Sequence, residues 1–296
     1  MTNPTRTPRI SIVTPCLNQA RFLESCIRSV LDQGYPDLEY IVIDGGSTDG
    51  SAQIAERYAH RLHYWRSEPD GGQYAAINAG FARSSGEIMA WLNADDQYMP
   101  WTLSVVGEVF ARFPDIEWLT SQYQVIWDER GRAVHCGYHP RFSRRAFFRG
   151  MHLPGNIRYH RAGIQQESTF WRRALWDRAG GGVDERLSFA ADFELWARFY
   201  QHAELFGLST PLGGFRRHAD QKTAGSGRAY HDEAMAALLR HGGRPFGPVG
   251  SAVRYRLAGV ASAARRVMNF VRGRREPGEY VRWTRGRPGR WSVRRM

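Results

Sequence analysis

Short runs of β-branched and apolar residues alternate with helix-like segments through the first third of the chain. Four runs are predicted to be strands, at residues 10–14, 40–43, 62–65 and 88–92. The segments between them carry apolar residues at helical spacing. This alternation predicts an α/β domain in three layers, with a mostly parallel sheet between two layers of helices. Ligands of such sheets bind beyond the carboxyl ends of the strands, so polar residues that follow a strand are the first candidates for a site.

The rest of the chain has a less regular pattern. Further strands and helices are predicted at residues 101–113, 117–121, 123–127, 133–136, 167–171, 174–179, 191–201 and 212–216. Residues 138–161 are rich in arginine, histidine and aromatic side chains, and they are predicted to form lid or acceptor-facing loops. The Gly-Gly-Arg-Pro sequence at residues 242–245 indicates a boundary, so we divide the chain into a globular domain, 1–243, and an extension, 244–296.

The positive charge of the chain is concentrated in the extension. Residues 244–296 contain fourteen arginines and only two acidic residues, which accounts for the whole net charge of +12. The first 243 residues are therefore neutral overall. A basic segment on a neutral domain predicts binding to an anionic surface, either nucleic acid or the cytoplasmic face of a membrane.

Apolar residues recur every three or four positions over residues 249–271, and arginines flank this stripe. The pattern predicts an amphipathic helix in a membrane interface, although the stripe could instead pack on the globular domain. Tyr280, Trp283 and Trp291 continue the mixture of arginine and aromatic residues, which favours a membrane surface bound through residues 249–291. No recognised RNA- or DNA-binding module accompanies the charge, so no nucleic acid partner is expected.

The cysteines and the lack of a long apolar run bear on where the protein acts. Cys16, Cys26 and Cys136 have no metal-binding spacing, and an odd number suits reduced thiols in or near the core. No stretch reaches the roughly 18 uncharged apolar residues of a membrane-spanning helix. The N-terminal residues also lack the apolar segment of a secretion signal. We expect a cytoplasmic protein that could lie peripherally on the inner face of the plasma membrane.

A glycine-rich turn with several acidic and hydroxyl side chains follows the second predicted strand, at residues 44–51. Glycine lets the backbone approach a ligand closely, and Asp44 at the strand end is predicted to accept a hydrogen bond from a ribose or a base. For Ser47 and Asp49 the favoured interpretation is structural, as caps of the helix that follows.

Two adjacent carboxylates, Asp95 and Asp96, follow the fourth predicted strand. Because neighbouring carboxylates repel each other, a strand end that presents both predicts a divalent cation that also binds a diphosphate. The alternative is an N-terminal cap for the helix after Pro100, but one carboxylate would suffice and the position is several residues early.

Taken together, these motifs resemble glycosyltransferase family 2, whose members have the GT-A fold. The likeness rests on Ser-Ile-Val-Thr-Pro at residues 11–15 with Asn18, on the turn at 44–51 and on Leu-Asn-Ala-Asp-Asp at 92–96, in the expected order and at the expected intervals. It covers roughly residues 9–227. The resemblance implies an inverting, metal-dependent hexosyltransferase, with a nucleotide-binding half at 1–115 and an acceptor half at 116–243.

The resemblance also implies the ligands and their contacts. The donor would be a UDP-, dTDP- or GDP-linked sugar, the ion Mn²⁺ or Mg²⁺, and the acceptor a carbohydrate or a lipid-linked sugar. Asp95 and Asp96 would form the acidic metal motif, with Asp96 the better direct ligand and His218 a third ligand. The residues expected to contact the nucleotide-sugar are Pro15, Asn18, Asp44, Gly45, Asp70, Asn78, Asp95 and Lys222. Many relatives carry a second aspartate at the position of Gly45.

Asp192 stands where family members carry the aspartate that acts as catalytic base, although Ala191 replaces the glutamate that often precedes it. Near the start of a predicted helix, Asp192 could also be a helix cap. The segment at residues 165–173 resembles the one that follows the acceptor loops in relatives, and Gln166 and Glu167 would face the site. Glu167 could as easily form a structural ion pair, and Lys222 could bind phosphate or lie on the surface.

These motifs bear on three classes of function: a glycosyltransferase, a nucleotidyltransferase and a non-catalytic binding module. In the enzyme interpretation, Asp192 takes the acceptor proton while the cation offsets charge on the departing diphosphate, in the synthesis of a cell-surface polysaccharide or glycolipid. A nucleotidyltransferase would carry a glycine-rich, basic loop after the first strand, where this chain has Pro-Cys-Leu-Asn-Gln at residues 15–19. A non-catalytic sugar- or membrane-binding module would tolerate Asp192→Ala without loss of function.

Overall fold

The computed structural model describes residues 7–139, 142–154, 163–222, 224–246, 280–284 and 290–294. Within them, nine strands form one central sheet. In spatial order they are β13 (Arg290–Arg294), β12 (Tyr280–Thr284), β10 (Phe206–Leu208), β6 (Trp118–Ser121), β9 (Thr169–Arg172), β4 (Ile88–Trp91), β1 (Ile10–Cys16), β2 (Leu38–Asp44) and β3 (Tyr64–Ser67). Five neighbouring pairs are parallel, and the antiparallel ones involve β9 or β13. The mostly parallel sheet of the prediction is confirmed.

A smaller sheet and eight helices complete the described fold. The second sheet has the order β5 (Gln97–Tyr98), β11 (Gly213–Arg216), β7 (Tyr123–Trp127) and β8 (Ala133–Tyr138). The helices are α1 (Ala20–Leu31), α2 (Ser51–Arg57), α3 (Gln73–Phe81), α4 (Thr102–Arg112), α5 (Arg144–Phe148), α6 (Arg173–Arg178), α7 (Ala191–His202) and α8 (Gly227–Arg240). Short 3₁₀ turns occur at Ala59–Arg61 and Gln166–Ser168.

Close packing between helix and strand holds the first half of the domain together. Every residue of β1 is buried, as expected for a strand covered on both faces. On one of these faces α3 lies so near that a Cβ on Gly80 would come within 2.5 Å of a Val13 methyl group. Glycine at residue 80 therefore allows the helix to lie directly on the sheet.

A cluster of tryptophans anchors α7 to the centre of the sheet. Trp196 stacks on Trp91 of β4 at 6.1 Å and on Trp118 of β6 at 5.6 Å between ring centroids. All three indoles are buried, and burial of such large side chains is a major source of stability. Because Asp192 precedes Trp196 by one helical turn, this anchor also fixes the position of the Asp192 backbone.

The predicted elements of the first half are confirmed, with boundaries that shift by a few residues. The short strands β5 and β10 and the helix α8 were not predicted. Of the thiols, Cys16 and Cys26 are buried as expected, but the prediction is wrong for Cys136, which is exposed. It lies on β8, which pairs only with β7 among the described strands, so a core position is not available to it.

The described part of segment 138–161 is more structured than the predicted loops. It contains α5, and Phe147 is fully buried with its ring 4.5 Å from that of Phe193 on α7. At least part of this segment therefore packs in the core. Residues 140–141 and 155–162 lie outside the described residues.

Part of the extension pairs with the central sheet. The strand β12 runs parallel to β10, and β13 pairs with β12. Val281 is fully buried and Trp291 nearly so. The predicted helix over residues 249–271 lies outside the described residues, so that helix, the membrane contact and the boundary at residue 243 stay predictions. Among the described helices, none combines the length and the apolar character that crossing a bilayer requires.

Candidate functional site

A cavity of about 940 Å³ lies beyond the carboxyl ends of β1 and β4. It is near the upper end of the range typical of small-molecule sites, about 300–1,000 Å³. Its walls combine residues from the sheet with residues from α7, α8 and the segment after β11. Five of the predicted site residues line it: Pro15, Asp70, Asp95, Asp192 and Lys222.

Polar groups of the turn at residues 44–51 form hydrogen bonds within the turn and with neighbouring loops. Asp44 is fully buried and accepts hydrogen bonds from the backbone N–H of Ser47 at 2.9 Å and the hydroxyl of Ser67 at 2.6 Å. The Asn18 side chain accepts from the backbone N–H of Thr48 at 2.9 Å. Neither Asp44 nor Asn18 is among the residues that line the cavity. Their contacts in this structure hold the two loops in place, and a direct contact with a ligand stays a prediction.

The structural interpretation of Asp49 agrees with its contacts. One carboxylate oxygen accepts from the Ser51 backbone N–H at 3.0 Å, and the other accepts from Ala20 N–H at 2.8 Å. These two amides belong to the first turns of α2 and α1, respectively. Asp49 therefore accepts hydrogen bonds from backbone N–H groups at the start of two helices.

Gly45 leaves room for the carboxylate of Asp70. A Cβ at residue 45 would lie 3.2 Å from an Asp70 carboxylate oxygen. Asp70 lines the cavity and accepts from the backbone N–H of Gly72 at 2.7 Å, just before α3 begins. A second aspartate at residue 45 would place a like charge against Asp70, so glycine at this position accommodates the Asp70 carboxylate.

Asn78 joins α3 to a distant loop. Its amide donates to the Val183 carbonyl at 3.0 Å and to the Glu185 carboxylate at 2.6 Å, and its oxygen accepts from Val183 N–H at 2.9 Å. It is not among the cavity residues. The predicted contact with the nucleotide-sugar stays a prediction, while the observed contacts are structural.

The two acidic side chains that follow β4, Asp95 and Asp96, lie in different environments. Asp95 lines the cavity, and one of its oxygens lies 3.0 Å from Nε2 of His218. Asp96 is buried, accepts from the backbone N–H of Arg216 at 2.8 Å and is not among the cavity residues. Burial and the nearby Asp95 charge raise the pKa of Asp96 well above its ordinary value. No group of three or more acidic, histidine or cysteine side chains within the described residues forms a metal site.

Asp95 and His218 nevertheless fit a divalent ion as a pair of ligands. The two side chains are within hydrogen-bonding distance, at 3.0 Å, and a carboxylate oxygen and an imidazole nitrogen are both ligand types that transition-metal ions bind. The remaining ring nitrogen of His218 is buried and makes no hydrogen bond. Asp96 is turned toward the backbone of β11 in this structure, and its assignment as a direct metal ligand stays a prediction.

Asp192 enters the cavity from the first turn of α7. It accepts from the hydroxyl of Tyr230 on α8 at 3.1 Å and from the backbone N–H of Phe193 at 2.7 Å. Burial raises the pKa of Asp192 to about 6, while the two hydrogen bonds partly offset this effect. The carboxyl group thus combines access to the cavity with a pKa close to neutrality.

The helix α8, which was not predicted, supports the start of α7. Glu233 accepts from the backbone N–H groups of Ser188, Phe189 and Ala190, at 2.7–3.1 Å. These amides immediately precede α7. The helical spacing of Ala234, Ala237 and Leu238, which are the buried residues of α8, is the signal that could have identified it.

Lys222 lies at the cavity rather than on a remote surface. Its ammonium group is 5.0 Å from the ring centroid of Tyr74 and 5.8 Å from that of Phe189, and it donates to the Gln73 side chain at 3.3 Å. Arg217 also lines the cavity. The wall after β11 thus places positive charge where an anionic ligand would enter.

Glu167 lines the same cavity from the 3₁₀ turn at Gln166–Ser168. Its side chain is buried, and one carboxylate oxygen makes no hydrogen bond in the described structure. Burial raises the pKa of Glu167 to about 8, and the charges of Asp192 and Asp95 add to the rise. The ion pair considered from the sequence is not among its contacts in the described structure.

Comparison with known proteins gives the fold and the family. The sequence model described as Glycosyl transferase family 2 matches residues 11–169 of this chain. An uncharacterized glycosyltransferase of Rickettsia prowazekii is 25% identical over 217 residues, which is 73% of this chain and 66% of that protein. TuaG of Bacillus subtilis, a proposed teichuronic acid biosynthesis glycosyltransferase, is 35% identical over 94 residues, 31% of this chain and 37% of its own.

Two solved structures share the fold. TarS 1–349 from S. aureus in complex with UDP-GlcNAc superposes with a TM-score of 0.58 at 18% identity, over 79% of this chain and 66% of that one. Mannosyltransferase PcManGT from Pyrobaculum calidifontis, in complex with GDP-Man and Mn²⁺, gives a TM-score of 0.55 at 18% identity, over 86% and 71%. At this level of identity the likeness establishes the fold, which is the GT-A fold predicted from the sequence.

Proposed function

The chain belongs to glycosyltransferase family 2, and from this premise we propose that it transfers a sugar from a nucleotide-diphosphate donor to an acceptor hydroxyl with inversion. One observation carries the proposal. Asp95, beside His218, and Asp192, beside Tyr230, line a single cavity of about 940 Å³. An inverting transfer needs a base and a group that stabilises the leaving diphosphate around one sugar, and these residues supply both kinds of group.

In this mechanism Asp192 is the general base. Its carboxylate takes the proton of the acceptor hydroxyl as the acceptor oxygen bonds to the anomeric carbon and the bond from that carbon to the diphosphate oxygen breaks. Such assistance typically contributes about 10²–10⁴-fold in rate. A pKa of about 6 leaves Asp192 ionised at neutral pH and more basic than an ordinary aspartate. Tyr230 orients the carboxylate through its hydroxyl.

At the other end of the sugar, Asp95 and His218 would hold a divalent ion. When bound, the ion supplies positive charge that offsets the charge developing on the leaving diphosphate. Lys222 and Arg217 also line the cavity, and their positive charges favour binding of an anionic donor there. The Mn²⁺ bound by PcManGT agrees with this assignment, and UDP-GlcNAc and GDP-Man, the ligands of the two solved relatives, are candidate donors.

The acceptor we propose is a carbohydrate or a lipid-linked sugar, in the synthesis of a cell-surface polysaccharide or glycolipid. The assignment of TuaG to teichuronic acid biosynthesis supports this class. The arginines of the predicted helix over residues 249–271, which precede the paired strands β12 and β13, would bring the enzyme to a lipid-linked acceptor on an anionic membrane.

Thermal unfolding with a panel of nucleotide-sugars tests the proposal. We expect UDP-, dTDP- or GDP-linked sugars of one nucleotide class to raise the melting temperature, more so with Mn²⁺ or Mg²⁺ present. A ligand at a hundred times its Kd stabilises the folded state by about 2.7 kcal/mol, which is readily measured. If no nucleotide-sugar of any class, with or without the ions, stabilises the protein, the proposed function is wrong.

A further inference from the structure

The carboxyl group of Glu167 has no role in the mechanism above, although it forms part of the cavity wall. Only 4% of the residue is exposed, and its Oε1 makes no hydrogen bond in the described structure. Leaving a buried polar group unpaired costs about 1–3 kcal/mol. An unpaired group in the wall of a ligand cavity is satisfied when a ligand with complementary hydroxyl groups binds there.

The turn that carries Glu167 is held firmly on both sides. The amide of Gln166 donates to the Trp91 carbonyl at 2.7 Å, and the hydroxyl of Ser168 accepts from Gly213 N–H at 3.1 Å. Gly213 packs so close that a Cβ there would overlap the Glu167 carbonyl oxygen. The neighbouring side chains are therefore engaged with the protein, whereas Oε1 of Glu167 makes no hydrogen bond in the described structure. A fixed group of this kind binds a ligand with little loss of conformational entropy.

The surroundings of Glu167 indicate which part of a donor it meets. Glu167 lines the same cavity as Asp95, at the proposed diphosphate end, and as Asp192, the proposed base. In the proposed reaction only the transferred sugar lies between those two ends. Burial raises the pKa of the carboxyl group and so favours its neutral form, which can both donate and accept a hydrogen bond.

We propose that Glu167 is the sugar-recognition residue of this cavity and hydrogen bonds a hydroxyl group of the transferred sugar. The inference rests on the proposed function and adds to it the group that binds the sugar rather than the nucleotide. Removal of the carboxyl group should therefore weaken binding of the nucleotide-sugar and leave binding of the bare nucleoside diphosphate unchanged.

Isothermal titration of wild type, Glu167→Gln and Glu167→Ala tests the inference. The probes are UDP-GlcNAc with UDP and GDP-mannose with GDP, each with Mn²⁺. For the pair that wild type binds, we expect Glu167→Ala to raise the Kd of the nucleotide-sugar about 10- to 100-fold, the range of one buried hydrogen bond. Glu167→Gln, which keeps a neutral donor and acceptor, should lose much less. Glu56→Ala, at an exposed position of α2, is the matched control and should match wild type.

Each other outcome overturns the inference. If Glu167→Ala and Glu167→Gln weaken the nucleotide-sugar and the bare nucleotide equally, Glu167 supports the fold or the nucleotide site. If neither variant changes the Kd of the nucleotide-sugar, the carboxyl group does not bind the sugar, although the proposed function stands. If wild type binds neither nucleotide-sugar although it binds a bare nucleotide, sugar recognition by Glu167 is wrong for these donors. Failure of wild type to bind any of the probes counts against the proposed function itself.

Discussion

Asp192 has the two properties that a general base requires, access to the cavity and a raised pKa. We predict that Asp192→Asn lowers kcat about 10²–10⁴-fold and leaves the Kd of the nucleotide-sugar unchanged, because the amide keeps the shape of the carboxylate but cannot take a proton. Steady-state kinetics together with titration of the donor measure both quantities. Asp177→Asn, at an exposed position of α6 outside the cavity, is the control and should keep full activity. Retention of wild-type kcat by Asp192→Asn would favour a non-catalytic binding module.

The pH dependence of kcat/KM should follow the same carboxylate. Because Asp192 must be ionised to accept a proton, activity should fall as pH drops below about 6, the pKa of this group. The Tyr230 hydroxyl donates to the carboxylate and so favours its charged form. Tyr230→Phe should therefore move the acid limb of the profile to higher pH. A limb that stays in place or moves to lower pH would show that Tyr230 does not tune the base.

The sequence indicates which side chains are candidates for a site but not which groups they hydrogen bond. Asp44 and Asn78 have the residue types and positions of ligand contacts, yet their carboxylate and amide groups bind Ser47, Ser67 and Val183. Two of these partners lie 23 and 105 residues away in the chain, and no local pattern indicates which distant group a side chain will meet. Asp95 and Asp192 line the cavity as predicted, because Asp95 follows β4 closely and Asp192 lies in the first turn of α7. Lys222 also lines the cavity, although it lies in the loop between β11 and α8.

The strand β11 packs against the turn that carries Glu167, and Gly213 makes this close approach possible. We predict that Gly213→Ala destabilises the fold by about 1–3 kcal/mol, because the new Cβ would overlap the backbone of Glu167. Urea unfolding measures the free energy of unfolding. Gly227→Ala is the control, since a Cβ at the start of α8 meets no atom within 4 Å and should leave stability unchanged or slightly higher. Equal stability of the two variants would contradict the packing described here.

The strands that could be predicted are those with a run of apolar and β-branched residues. The strands β1, β2 and β4 consist mostly of β-branched and other apolar residues, so their existence follows from local sequence. The strand β5 has two residues and β10 three, too few for any periodicity. Both are stabilised by pairing with distant strands, which a local pattern does not encode.

Some of the C-terminal residues form strands of the central sheet. We predict that Val281→Ala lowers the free energy of unfolding by about 1–3 kcal/mol, because Val281 is fully buried between β10 and β13. Val134→Ala, at a position that is 62% exposed on β8, should change stability little. If Val281→Ala is as stable as wild type, the strand does not complete the sheet in solution.

This pairing also changes how the extension is to be studied. From charge alone, residues 244–296 form a separate basic segment, but β12 covers the edge of β10. Removal of the whole segment would expose that edge, and an unpaired edge strand favours aggregation. Substitution of arginines within the predicted helix over residues 249–271 leaves the edge covered and is the better way to examine membrane binding.

The proposed mechanism requires one activated sugar to lie between two groups of residues. A crystal structure with Mn²⁺ and the unreacted nucleotide-sugar that best stabilises the protein would show its orientation. We expect diphosphate oxygens beside Asp95 and His218, and the anomeric carbon facing the Asp192 carboxylate with room between them for an acceptor hydroxyl. A sugar whose anomeric carbon faces away from Asp192, or a diphosphate bound elsewhere, would show that the proposed mechanism is wrong.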